Sequence, residues 1–204
     1  MFVKLKMSLA AIGALRKELG FKQTLSVIST FLKMKRRGEP FKGFEPPGNS
    51  KDRGSRDQLG DAILVYRALL DRLPREEAER ITREVILAGA MAFLRGTVPV
   101  LRREEILSKT KEEQEALLTS IIEKFPNPDW EIVETTETSF FYRITRCRFP
   151  EMLEKLGHPE LSNAFCAADE LYFNEYQSDI DLERTTMIGA GDKCCDFLFS
   201  LKEE

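Results

Sequence analysis

The sequence predicts an α+β fold, with N-terminal helices followed by a small antiparallel sheet of about four strands and with helices inserted between the strands. Up to about residue 124 the apolar residues recur at helical spacings of three and four. After Trp130 they alternate with polar residues, as strands with one buried face do. The 204 residues suffice for one domain with additions or for two small domains.

The first 55 residues are predicted to form a basic helical extension that ends in a linker. Helical spacing runs from Leu9 to Lys35 and breaks at Gly20. The stretch from Arg37 to Ser55 is rich in Gly, Pro and charged residues, which is typical of loops. We therefore divide the chain into this extension, residues 1–55, and an α+β domain, residues 56–204.

Three more helices are predicted before the sheet, over residues 57–73, 74–94 and 110–124. Pro74 suits the first turn of the second of them, because a proline there gives up no helical hydrogen bond. Either Ser108 or Thr110 can cap the third.

Four strands are predicted after these helices. In chain order they cover residues 130–132, 140–144, 180–188 and 195–201. Helices over residues 149–156 and 159–176 connect the first pair of strands to the second. A turn containing two glycines, residues 189–192, joins the last two strands.

The charge balance and the hydropathy pattern argue against several classes of function. The formal net charge is −3, which gives no general case for nucleic-acid binding, although Lys and Arg outnumber Asp and Glu before residue 60. No apolar run reaches the roughly 20 residues that span a bilayer, and no signal cleavage site follows Leu9–Leu15. We expect a cytoplasmic protein that acts on a small molecule, with the N-terminal helices available for a homodimer.

Three side chains of one predicted helix are candidates for chemistry. Cys166 lies three residues before Asp169 and four before Glu170, so a helix brings the thiol and at least one carboxylate to one face. Asp169 has aromatic neighbours in sequence, and an unpaired carboxylate is costly to bury, so it needs a partner or a cleft. The alternative is a partly exposed helix with an inert cysteine.

Arg184 lies within the third predicted strand, on the same face as Ile180 and Leu182. An inward arginine needs a carboxylate, either from the protein or from a ligand. The alternative is an edge strand whose guanidinium reaches water. The sequence does not favour one over the other.

The C-terminal strand and the turn before it add further candidates. Cys195 and Asp196 alternate, so they face opposite sides of the strand, and Asp192 lies in the turn. No CxxC or HExxH spacing is present, so we predict no metal site and no cofactor. His158 is the only histidine and marks a helix start, so acid–base chemistry would depend on carboxylates or thiols.

Five short motifs occur in a fixed order in the last third of the chain: Cys147-Arg-Phe-Pro150, Leu156-Gly-His-Pro-Glu-Leu161, Phe165-Cys-Ala-Ala-Asp169, Leu182-Glu-Arg-Thr185 and Gly191-Asp-Lys-Cys-Cys-Asp-Phe197. With this order and spacing, roughly residues 56–202 resemble the L-2-amino-thiazoline-4-carboxylic acid hydrolase family. The last motif is also similar to the hydrocarbon-binding domain of vinyl-reductase accessory proteins, a ligand-binding module.

The first resemblance implies a hydrolase that opens a cyclic aminothiazoline carboxylate to an N-carbamoyl cysteine. Asp169 would pair with the amidine and activate a water, or Cys166 would be the nucleophile if a cation lowered its pKa. Arg184 would hold the substrate carboxylate. The other candidates for substrate binding are Glu170, Asp192, Cys195 and Asp196.

The competing hypothesis is a non-enzymatic small-molecule-binding or sensor module. An enzyme would bring Cys166, Asp169 and Arg184 together in a water-accessible pocket. A binding module would instead have a closed apolar cavity without convergent charges.

Overall fold

The computed structural model describes residues 2–202, which contain seven α-helices and four strands. The helices are α1 (Phe2–Arg36), α2 (Ser50–Leu70), α3 (Arg75–Thr97), α4 (Arg103–Leu107), α5 (Lys111–Ile122), α6 (Arg148–Lys155) and α7 (Ser162–Leu171). The strands are β1 (Pro128–Thr135), β2 (Ser139–Cys147), β3 (Ile180–Glu183) and β4 (Cys195–Leu201). The predicted α+β class is confirmed.

Helix α1 folds back on itself at Gly20, where the sequence predicts a break. Gly20 has φ 72° and ψ 175°, a conformation that is almost restricted to glycine. Lys4 and Lys35, near opposite ends of α1, pair with Asp57 and Asp61 of α2 at 3.3 Å and 2.6 Å. A straight helix would hold the two lysines about 46 Å apart. The contacts therefore require a hairpin of two helical arms.

The two arms of α1 pack on α2 and α3 and build a helical layer with an apolar core. Buried members of this core include Leu15, Val27, Leu59, Ile63 and Ile81. The first arm approaches α3 closely at Gly96, where a Cβ atom would lie 2.9 Å from the Val3 side chain. No helix within residues 2–202 is both long and apolar enough to cross a membrane.

The four strands form one antiparallel sheet in the order β1-β2-β4-β3. Tyr142 of β2 lies opposite Phe197 of β4. The inner face of the sheet is buried against residues of α3, α5 and α7 and includes Phe140, Tyr142, Ile144, Cys195 and Phe197. The alternation of apolar and polar residues predicted for these two strands is confirmed.

Three details of the secondary structure differ from the prediction. Helix α2 begins at Ser50, inside the predicted linker, because the Asn49 side chain accepts a hydrogen bond from the Asp52 amide at 2.8 Å. Strand β3 ends at Glu183, and beyond it the Asp196 amide donates to the Thr186 hydroxyl at 3.1 Å. Helix α4 was not predicted, because its 5 residues are too few to show a helical period of apolar residues. The division of the chain at residue 55 stays a prediction.

Candidate active site

A cavity of about 740 Å³ lies among α1, α2, α3, α7 and the inner face of the sheet. Its wall is mostly apolar, and its size is within the range of small-molecule sites. Four of the residues predicted from the sequence line this cavity, namely Cys166, Asp169, Arg184 and Cys195. The cavity is therefore the candidate active site.

Helix α7 brings one thiol and one carboxylate to the cavity. Cys166 and Asp169 are about one helical turn apart, and both line it. Ala168, between them in sequence, is buried in the core beneath the sheet. Glu170 does not line the cavity, and its side chain is 50% exposed. The helix therefore has one face at the cavity and an exposed face that carries Glu170.

Arg184 follows β3 and turns its side chain inward, where only 4% of it is exposed. Its Nη1 lies 3.5 Å from Oδ2 of Asp169, and its Nη2 donates to Oε1 of Glu170 at 2.9 Å. Nη2 also donates to the Cys166 carbonyl at 3.1 Å. The guanidinium carbon lies 5.3 Å from the centre of the Phe197 ring. Of the two sequence alternatives, the inward arginine with a carboxylate partner is correct.

Asp169 is a carboxylate held deep in the protein but in contact with the cavity. Although it is enclosed, 29% of its side chain is accessible, because part of it faces the cavity. Burial raises the pKa of Asp169 to about 6, against the opposing attraction of Arg184. Within residues 2–202 its carboxylate accepts no hydrogen bond, since 3.5 Å to Nη1 is too long for one. Its oxygens can therefore accept hydrogen bonds from a ligand.

The three thiols beside the cavity are all weakly acidic. Burial and the nearby Asp169 charge raise the pKa of Cys166 far above its ordinary value, and Arg184 only partly offsets them. Burial likewise raises the pKa of Cys195 to about 11 and that of Cys147 above its usual range. The Cys195 sulfur also accepts a hydrogen bond from the Ile188 amide at 3.1 Å. All three are protonated at neutral pH, so none is an activated nucleophile.

Besides Glu170, two other predicted residues lie away from the cavity. Asp196 is on the other face of β4 from Cys195 and accepts a hydrogen bond from Nε of Arg143 at 2.9 Å. Asp192 accepts one from the Met187 amide at 2.8 Å and closes the turn before β4. Both carboxylates stabilise local structure next to the site and do not line it.

Tyr142 is a member of the site that the sequence prediction missed. It lies on the inner face of β2 and lines the cavity, and its hydroxyl makes no hydrogen bond within residues 2–202. Burial raises its pKa well above the ordinary value, and the charge of Asp169 raises it further. The hydroxyl therefore stays neutral and can donate. The alternation of Phe140, Tyr142 and Ile144 is the signal that could have revealed its inward position.

The α1 hairpin also contributes to the wall, which sequence reasoning missed because α1 is far from α7 along the chain. Residues of both arms line the cavity, among them Ala11, Leu15, Val27 and Phe31. His158 is not part of the site: it accepts a hydrogen bond from Nε of Arg67 at 3.1 Å. Within the described residues, no three His, Cys, Asp or Glu side chains are grouped as metal ligands would be.

The sequence profile of the L-2-amino-thiazoline-4-carboxylic acid hydrolase family matches residues 58–199. Among curated proteins, no relative matches this chain.

Three solved structures of H-NOX proteins align with almost the whole chain, but their sequence identities and TM-scores are low. A double mutant of Tt H-NOX is 15% identical, with coverage of 98% of this chain and 95% of that one and a TM-score of 0.35. The Fe(II) unliganded H-NOX protein from K. algicida is 13% identical, with 97% and 96% covered and a TM-score of 0.36. An oxygen-binding H-NOX domain related to soluble guanylate cyclases is 14% identical, with 98% and 95% covered and a TM-score of 0.34. At these TM-scores the likeness supports no conclusion about this chain.

Proposed function

Because the chain belongs to the L-2-amino-thiazoline-4-carboxylic acid hydrolase family, we propose that it hydrolyses a cyclic amidine of the 2-aminothiazoline-4-carboxylate type. This proposal rests on one observation: the Asp169 carboxylate lies beside Arg184 and faces the cavity with oxygens that are free to accept hydrogen bonds. An amidine presents two N–H groups in a plane, and a carboxylate accepts such a pair well. The convergence of Cys166, Asp169 and Arg184 is the arrangement that favours an enzyme.

In the proposed reaction, Asp169 is the general base. It removes a proton from a water molecule whose oxygen bonds to the ring carbon between nitrogen and sulfur. The carbon–nitrogen double bond of the ring becomes single, and the ring nitrogen takes the remaining proton of the attacking water as the carbonyl forms. The bond between that carbon and sulfur breaks, its electron pair stays on sulfur, and the sulfur takes the proton from Asp169. The product is an N-carbamoyl cysteine with a free thiol. A carboxyl group with a pKa of about 6 suits both transfers, because it is ionised at neutral pH yet basic enough to accept a proton.

The neighbouring residues have supporting roles in this proposal. Arg184 keeps Asp169 oriented, and its Nε, which makes no hydrogen bond within residues 2–202, is available to the substrate carboxylate. Glu170 holds Nη2 of Arg184 from outside the cavity. Cys166 and Cys195 line the pocket as neutral thiols, and Cys166 is the less suitable nucleophile because its pKa is raised.

The test is turnover of 2-aminothiazoline-4-carboxylate, with the carbamoyl product measured by mass spectrometry. Asp169→Asn should lower kcat about 10²–10⁴-fold, which is the usual contribution of a general base. Asp181→Asn is the matched control, since Asp181 is an exposed residue of β3 that pairs with Lys202 at 3.4 Å, and it should keep full activity.

Cys166→Ser distinguishes the two roles that the sequence leaves open. If Asp169 is the base, the serine variant should keep kcat within about tenfold of the wild type, because the hydroxyl fills nearly the same space. Loss of activity in Cys166→Ser with retention in Asp169→Asn would contradict the proposed roles. No turnover of any cyclic amidine acid by the wild type would contradict the function itself.

A further inference from the structure

The cavity has far more apolar wall than a small cyclic amidine acid can contact. Of its charged lining residues, only Asp169 and Arg184 are enclosed by the protein. The other five are exposed, namely Lys4, Lys35, Asp57, Asp61 and Glu137. The rest of the wall is mostly aliphatic and aromatic and extends from the sheet to the α1 hairpin. Water in such a space is readily displaced by hydrocarbon.

The charged pair in this cavity favours a cationic group. Nη2 of Arg184 is already engaged by Glu170 at 2.9 Å and by the Cys166 carbonyl at 3.1 Å. The Asp169 carboxylate, in contrast, accepts no hydrogen bond within residues 2–202 and is accessible from the cavity. An ammonium or amidinium head would supply the missing donors. A ligand whose only head group is a carboxylate would supply none and would meet the negative charge of Asp169.

We propose that the cavity binds an amphiphile, with an amidine- or amine-type head on Asp169 and an unbranched hydrocarbon tail along the apolar wall formed by α1, α2, α3 and the sheet. The choice of head group rests on the proposed function. The inference adds that the cyclic amidine bound by the enzyme has a hydrocarbon chain attached to its ring. Beside α1 and α2 the cavity reaches exposed residues, namely Lys4, Lys35, Asp57 and Asp61, and the end of the tail lies toward this side.

Calorimetric titration of the full chain with octanamidine, decanamidine and dodecanamidine, below micelle-forming concentrations, tests the tail site. Each added methylene that is buried should lower Kd about fourfold. The matched carboxylates octanoate, decanoate and dodecanoate should bind at least tenfold more weakly than the amidines. Asp169→Asn should weaken binding of the amidines about tenfold and leave the dependence on tail length unchanged.

Variants that fill the cavity provide the structural control. Ala90 of α3 and Ala62 of α2 line it, so Ala90→Phe and Ala62→Phe should each abolish the gain in affinity from the longer tails. Ala88→Phe is the matched control, because Ala88 lies on the same helix as Ala90 but lines a separate hollow with Leu87 and Met91. It should bind all three amidines as the wild type does. Thermal unfolding verifies that each variant is folded.

The outcomes separate this inference from the proposed hydrolysis. A Kd that does not change with tail length, or fatty acids that bind as tightly as amidines, would overturn the amphiphile site even if the small aminothiazoline acid is hydrolysed. A steep dependence on tail length without any turnover would support the amphiphile site and contradict the hydrolase. If both filling variants fail to fold, the length series and the Asp169→Asn titration still decide the question.

Discussion

Oδ2 of Asp169 and Nη1 of Arg184 lie 3.5 Å apart, close enough for attraction but too far for a hydrogen bond. The arginine is held at this distance because its other terminal nitrogen is bound to Glu170 and to the Cys166 carbonyl. The cation therefore stabilises the Asp169 charge only in part, and burial outweighs it. The result is a carboxyl group with a pKa of about 6 in an apolar cavity.

The pH dependence of activity follows from this balance. A general base must be ionised, so kcat/KM should rise with pH, reach half of its plateau near the Asp169 pKa of about 6, and stay level at higher pH. The measurement is the initial rate of aminothiazoline hydrolysis at low substrate concentration between pH 4.5 and 8. A profile with a midpoint near 4, as for an exposed aspartate, would contradict the role of burial.

Glu170→Gln provides a direct test of the electrostatic balance. The negative charge of Glu170 raises the pKa of Asp169, although less than burial does. Removing it should shift the acidic limb of the rate profile to lower pH while the plateau rate changes little. The structural expectation is that Arg184 stays in place, because Nη2 still has the Cys166 carbonyl. A shift to higher pH would show that Glu170 acts in another way.

Asp169 should also affect the pH dependence of stability. Its pKa rises from 3.8 to about 6 on folding, so between these two pH values the folded state binds more protons than the unfolded state. The free energy of unfolding of the wild type should therefore fall, relative to that of Asp169→Asn, as pH rises from about 4 to about 6, and the difference should be constant above pH 7. Urea denaturation of both proteins at pH 4, 5, 6 and 7.5 measures it. A difference that grows in favour of the wild type over this range would contradict the burial of Asp169.

Much of the fold could be predicted because local patterns decide it. The break at Gly20, the helix through Cys166 and Asp169, and the alternation in β2 and β4 all follow from neighbours within a few residues. The pairing of Arg184 with carboxylates was one of two alternatives. Strand β3 lies at the edge of the sheet, and Arg184 still lies inward because it pairs with Asp169 and Glu170 of α7. Local spacing along the strand does not reveal that contact.

The cavity itself could not be predicted from the sequence. Its wall joins residues of α1 to residues of α7 and β4, and no local pattern links segments so far apart. Asp192 and Asp196 were predicted as substrate-binding residues from the family resemblance, yet Asp196 pairs with Arg143 on the outer face. The alternation of the strand had already placed Asp196 opposite Cys195, and the structure agrees with that local pattern.

Arg148 is a buried cation that joins α2 to β1. Its side chain is 5% exposed and donates to Asp52 at 3.0 Å and to both oxygens of Asp129 at 3.1 Å and 3.0 Å. Hydrogen bonds from Lys51 and Arg148 hold the pKa of Asp129 below its usual value. Arg148→Ala should lower the free energy of unfolding by about 3 kcal/mol, because it removes a buried side chain together with its charge-assisted hydrogen bonds to Asp52 and Asp129.

Arg146→Ala is the control for this loss. Arg146 lies two positions earlier and pairs with Glu151 at 2.6 Å, but its side chain is 51% exposed. Such a pair contributes at most about 1 kcal/mol, so urea denaturation should place Arg146→Ala much closer to the wild type. Equal losses in the two variants would mean that the Arg148 network does not hold α2 against the sheet.

The reversal of α1 depends on Gly20, and a pair of glycines in this helix tests it. Gly20→Ala should destabilise the protein by about 1–3 kcal/mol, because φ 72° and ψ 175° strain any residue with a Cβ atom even though no other atom lies within 4 Å of it. Gly13 lies inside the first arm with equally open surroundings, so Gly13→Ala should stabilise the protein by about 0.5–1 kcal/mol. The measurement is the free energy of unfolding in urea. Opposite signs for the two variants require a hairpin, whereas two stabilising alanines would indicate a continuous helix and would remove one wall of the cavity.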